Sequence, residues 1–205
     1  MKYSFFVRFV VVFSAIVSLL AGIEAVGFLT IIAKELDATG IGLNNAVSTA
    51  AGFAVLWLFG KRVIFDWCIK HPIFFQNIGV VVDSIFIILL WTNVFGLVSA
   101  LLVGASVCVA LSSLWQRSKK ALINRCIIKD AASRLENTMQ MWSTAGSFVG
   151  SLIAMAIPST MTNLVLTIIT SVIVGYISGA IIIRQVLRWN KEGRIFDKWD
   201  DSVNV

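Results

Sequence analysis

A chain of 205 residues that is 58% hydrophobic and only 14% charged has too few polar side chains to coat a soluble globule of its size. The composition implies one integral membrane domain, and the net charge of +6 falls between apolar runs instead of forming a basic face interleaved with aromatics, which argues against a nucleic-acid partner. Three cysteines and a single histidine, His71, give neither a disulfide framework nor a metal-ligand set, so no metal and no cofactor are expected.

The first apolar run, residues 5–33, is interrupted only by Arg8 and Glu24. It continues well past the length of a signal-peptide core, so it is expected to remain as a transmembrane helix. Lys34, Glu35 and Asp37 end it, and Gly40 and Gly42 make a turn. A second span is expected over 43–59, stopping at Lys61 and Arg62, and Pro72 suits the first turn of a third span over 73–91, which carries Asp83 near its middle. Only Thr92 and Asn93 separate it from a fourth span over 94–115, so those two helices should form a tight hairpin.

A basic connector follows. From Ala121 to Glu136 it places Ile123, Ile127, Ala131 and Leu135 on one stripe, joined by Leu122, Cys126 and Ile128, with Arg125 and Lys129 elsewhere, which is the pattern of a helix lying at the headgroup boundary. The fifth span is expected over 139–157, with a turn at Pro158, Ser159 and Thr160, and the sixth over 164–183. Beyond it, basic residues alternate with Trp189, Trp199 and acids, which reads as an interfacial extension fraying into a polar tail at 191–205. Trp57, Trp91, Trp115, Trp142, Trp189 and Trp199 fall mostly where aromatic belts would lie.

The fold class expected is therefore all-α and polytopic: six transmembrane helices within residues 1–190, both termini inside, and a basic amphipathic connector between the fourth and fifth. Every Lys and Arg except Lys34, sixteen of the seventeen, falls on the side that this topology assigns to the cytoplasm. Ridges of small residues recur at every fourth position. Gly96, Ala100, Gly104, Cys108 and Ser112 form one in the fourth span; Gly146, Gly150 and Ala154 another in the fifth; Thr167, Ser171, Gly175 and Gly179 a third in the sixth. Such ridges let helix backbones approach closely in lipid, where leucine gains nothing over a lipid tail. Gly104, Gly146, Gly150, Gly175 and Gly179 are thus expected at helix contacts.

Three features together resemble one half of a major facilitator superfamily transporter. The link after the second span runs from Gly60 through Asp66, Lys70 and His71, which keeps the acid-to-base spacing of that family's cytoplasmic signature, with Trp67 in place of its usual arginine. The run from Gly104 to Ala154 resembles drug-exporter members: a long helix, a basic connector containing Arg134 and Asn137, then a helix bearing Gly146 and Gly150. The third feature is six spans with internal termini. Complete members carry two such halves around a central path, so the resemblance leaves three consequences open: pairing with a second copy, pairing with another membrane subunit, or loss of transport.

Glu24 and Asp83 are the two acids expected within the hydrocarbon layer. An ionised carboxylate there costs ~2.5–3.5 kcal/mol even on permissive scales, so such residues face a bundle interior or a watery cavity. Neither has a basic partner at that depth, and a desolvated carboxyl without one favours its protonated form, as a proton-coupling group must. The alternative role for either is hydrogen-bonded glue between helices. Asp66, Lys70 and Arg134 are candidates for a cytoplasmic charge latch. No nucleophile–base pair or phosphate loop occurs, so an enzyme is not expected. The expectation is a half-size secondary transporter of the bacterial inner membrane, dimeric and proton-coupled. The alternative is a non-transporting immunity, exclusion or accessory protein that binds a partner within the bilayer.

Overall fold

A computed structural model of the protein describes residues 2–35, 61–92, 118–127 and 129–193, together with single positions within 42–57 and 107–115. Long apolar runs without internal proline become long helices: α1 (Tyr3–Glu35), α2 (Arg62–Lys70), α3 (Pro72–Thr92), α4 (Lys129–Ala156) and α5 (Met161–Lys191). The fold is all-α, and among the described residues three helices, α1, α3 and α5, are long and apolar enough to cross a membrane. They contain the expected spans 5–33, 73–91 and 164–183. The expected spans 43–59 and 94–115, with Gly104, lie almost wholly outside the described residues. Local signals act where the sequence puts them. Pro72 opens α3, and Thr160 caps α5 by accepting from the Asn163 amide while Asn163 Nδ2 donates to the Pro158 carbonyl.

Contacts set the directions of the helices. Cβ atoms added at Gly146 and Gly150 would run into the carbonyl oxygens of Ala15 and Leu19, so residue numbers rise together and α1 and α4 are parallel. Trp189 packs on Phe6, while Leu164 lies against Gly27, so α5 is antiparallel to α1. Gln76 reaches Tyr176 and Phe86 joins Leu164, Val165 and Ile168, so α3 is antiparallel to α5. Helices α1, α3 and α4 therefore run one way and α5 the other. Glu35 and Arg62 therefore lie at opposite ends of the bundle, as do Thr92 and Ser118.

The connector differs from the expected interfacial helix. Residues 118–124 are helical, a turn at Arg125 and Cys126 breaks the helix, and α4 then begins at Lys129 and continues without interruption through the expected fifth span 139–157 to Ala156. The apolar stripe is real, but it packs against protein: Leu122, Ile123, Cys126, Ile127, Ala131 and Leu135 are buried with Phe6, Val10, Val186 and Trp189. The amino end of α1 and the carboxyl end of α5 project far enough to cover the stripe. Trp189 is corrected for the same reason. It is 1% exposed, with its ring edge-on to Phe6 at 4.8 Å, and belongs to this cluster instead of an aromatic belt. Exposed Trp57 and Trp91 keep the belt-like character.

Candidate functional site

Between α1, α3, α4 and α5 lies a cavity of about 1040 Å³, large enough for a drug-sized molecule. Glu24 reaches it from α1 and Asp83 from α3. Both helices place their acids one turn before a stacked ring pair, Phe28 and Phe86, whose centroids are 6.1 Å apart. The two carboxyls are thereby held within electrostatic reach of each other. Ser171 of α5 approaches the Glu24 carboxyl and the Cys108 thiol approaches that of Asp83. Glu24 Oε1 is buried without a hydrogen-bond partner among the described residues. A lone buried acceptor is costly unless a proton or a ligand meets it, and no Lys or Arg of the sequence lies near these two acids along the chain except Lys34, at the far end of α1.

The wall between α3 and α5 is polar at one point. Gln76, 7% exposed, donates from Nε2 to the Tyr176 carbonyl at 2.7 Å, and its amide also lies against Gly179. The wall between α1 and α4 is closed by small residues. Gly22 lies against the Ser147 carbonyl, Gly146 and Gly150 against α1, and the Ser18 and Ser143 hydroxyls bond each other at 2.5 Å.

At the end of the cavity nearest the chain termini, Lys119, Lys120, Asn124, Glu136 and Gln140 form a polar mouth. Lys120 pairs with Glu136. Their side chains are 51% and 47% exposed, so this pair contributes at most about 1 kcal/mol. Lys119 is half-buried, and desolvation pushes its ammonium from 10.5 down to about 8.

The expected site residues separate into groups. Glu24 and Asp83 share the cavity. Asp66 and Lys70 lie one turn apart on α2 and Arg134 on α4, all three exposed, and none of them lines the cavity. Gly146 and Gly150 sit at a backbone contact, Gly179 meets a side chain, and Gly175 faces open space. Sequence reasoning missed Lys119, the Lys120–Glu136 pair, and the role of Ser171 as a polar neighbour of Glu24. For Ser171 a signal existed: it is a polar member of the α5 ridge at the depth of the acid. It also missed Gly22, although Ala15, Ser18 and Gly22 repeat at helical spacing on α1. Among the described residues, no three His, Cys, Asp or Glu side chains converge where a metal could be held.

No protein-family model, curated protein or solved structure matches this chain. The functional reading therefore rests on the cavity and its residues.

Proposed function

We propose that the chain is a half-size secondary transporter, resembling one half of a major facilitator superfamily carrier, that moves a small molecule across a bacterial inner membrane in exchange for or together with protons. The observation that carries this reading is the meeting of Glu24 and Asp83, from two different helices, in one large cavity within a bundle of membrane-crossing length. Acids at that depth are costly and usually mark ion or proton paths. Six spans with both termini in the cytoplasm agree with the charge asymmetry and with helix ends Glu35 and Arg62, and Thr92 and Ser118, lying at opposite ends of the bundle. The chain works as a dimer, or with a second membrane subunit, because a single bundle walls only one side of a central path. Exposed apolar side chains such as Phe148, Leu152 and Met155 on α4 suit contact with lipid or with that second half.

The separating experiment is Asp83→Asn, with Glu24→Gln as its companion, in cells and in reconstituted vesicles. Proton coupling predicts loss of uptake or efflux at normal membrane abundance. An unchanged transport phenotype contradicts coupling, and reduced abundance alone assigns the acids to helix assembly.

A further inference from the structure

The cavity interior wants a positive charge that the chain itself does not provide. Two carboxyls, from Glu24 and Asp83, face it. The sequence holds no Lys, Arg or His in residues 9–33, 35–60, 72–116 or 135–183, so no stretch of membrane-crossing length carries a basic side chain to meet them. The cations of the cavity wall, Lys119 and Lys120, belong to the mouth, where Lys120 pairs with Glu136. Ser143 beside Ser18 on the parallel helix puts Glu136 at the level of Val11, about 20 Å short of Glu24 at ~1.5 Å per residue.

A further acceptor in the wall is independent of the acids. Gln76 is 7% exposed, and its amide meets the Tyr176 carbonyl at 2.7 Å. A carbonyl can only accept, so Nε2 must face α5, and Oε1 is left without a partner among the described residues on a side chain that lines the cavity. Gln76 and Asp83 stand seven residues apart on one face of α3, about 10 Å from each other along its axis. Between their levels the cavity has room. Gly79 of α3 and Gly175 of α5 both line it with nothing within 4 Å of where a Cβ would stand, and the neighbouring Val17, Ala21, Val80 and Val172 are apolar. A bare metal ion would leave most of a volume of about 1040 Å³ empty. Carboxylate and amide oxygens accept hydrogen bonds, which N–H and O–H groups donate and a quaternary ammonium cannot.

We propose that the interior binds an amphipathic ammonium ion: a protonated primary or secondary amine whose N–H groups sit between Glu24 and Asp83, whose flat apolar body lies over Gly79 and Gly175, and whose far end donates a hydrogen bond to Gln76 Oε1. The proposal rests on the transport reading, since it names the class of cargo for that cavity, but binding is measurable without transport.

The test uses the full chain in a neutral maltoside detergent, titrated calorimetrically at pH 7 with para-hydroxyphenylbutylamine, whose ammonium and phenol lie at the two ends of an apolar body. One molecule is expected to bind per chain. Its trimethylammonium counterpart, which has no N–H, should bind roughly tenfold or more weakly, and Asp83→Asn should weaken binding of the amine to the same degree. Removing the phenol hydroxyl should cost about threefold to tenfold in the native chain and nothing in Gln76→Leu. The side chain of Gly79→Leu enters open space, so this variant should keep the native thermal midpoint and lose binding, because the leucine occupies the place of the ligand's body. The comparison of ligands on the native chain remains decisive if an acid variant fails to fold. Equal affinity of the native and Asp83→Asn chains, tighter binding of the trimethylammonium compound, or undiminished binding to folded Gly79→Leu would overturn the proposal. The site and the transport reading fail separately. Amine binding without proton-coupled movement in vesicles strikes transport and leaves the site; proton-coupled movement of another solute, lost in Asp83→Asn, with no binding of the amine, strikes the site and leaves transport.

Discussion

The amino end and the middle of α1 are held by opposite kinds of packing. Near its amino terminus α1 joins large side chains, Phe6, Leu135 and Trp189 being among the most fully buried in the described chain. Midway along, against α4, it offers Ala15, Ser18, Leu19 and Gly22 to Gly146, Gly150 and two serines. The difference follows from the solvent each region would otherwise meet. At the level of the basic connector an unpacked Trp189 or Ile127 would face water, so burial of apolar area drives association there. If the bundle crosses a bilayer as proposed, the competing medium deeper in is hydrocarbon, where burial of a leucine gains little and helices are held by close backbone approach and by hydroxyl pairs.

The largest effect that can break this contrast is Trp189→Ala. It should cost about 3–5 kcal/mol, as truncation of a fully buried aromatic does, and lower the thermal midpoint in detergent sharply. A small effect would mean that the connector lies on the headgroups after all. Gly150→Leu sharpens the other side. Its side chain would be driven into the Leu19 carbonyl, and overpacking against backbone should cost about 2–3 kcal/mol, whereas Gly175→Leu, with open space around it, should stay within about 0.5 kcal/mol. Equal losses at the two glycines would show that the α1–α4 seam is not specially close. A third test is a pH effect at the mouth. Burial holds Lys119 near 8 against 10.5 in the unfolded chain, so between those values the unfolded chain binds more protons and stability rises with pH. Denaturation midpoints measured from pH 7 to 10.5 should show that rise, and Lys119→Met should flatten it.

Much of this was legible in the sequence. Hydropathy located α1, α3 and α5, Pro72 and Thr160 marked two helix starts, and the four-residue repeat picked out Gly146 and Gly150. The connector was half legible. Its periodicity identified the buried stripe correctly, but an apolar stripe carries no information about whether lipid or protein covers it, and the covering residues, Phe6 and Trp189, are distant in the chain. The meeting of Glu24 with Asp83 was invisible for the same reason. Each stood out singly as an acid in an apolar run, while their common cavity depends on the relative rotation of two helices. Lys119 was hidden among the topology-setting cations, all alike until the fold places one of them in a cavity wall. Asp66, Lys70 and Arg134 drew attention by resemblance, while the ion pair of Lys120 with Glu136 in the cavity wall carried no such signal.

The shared acid cavity is tested most directly by covalent labelling of native membranes at pH 7 with a hydrophobic carbodiimide, which reacts with carboxyls that hold a proton in apolar surroundings, and by locating the adducts by mass spectrometry. Adducts on Glu24 and Asp83, with the exposed Asp66 and Glu136 unmodified, are the predicted result. Labelling of neither cavity acid by that reagent, with both modified instead by a water-soluble carbodiimide, would contradict it.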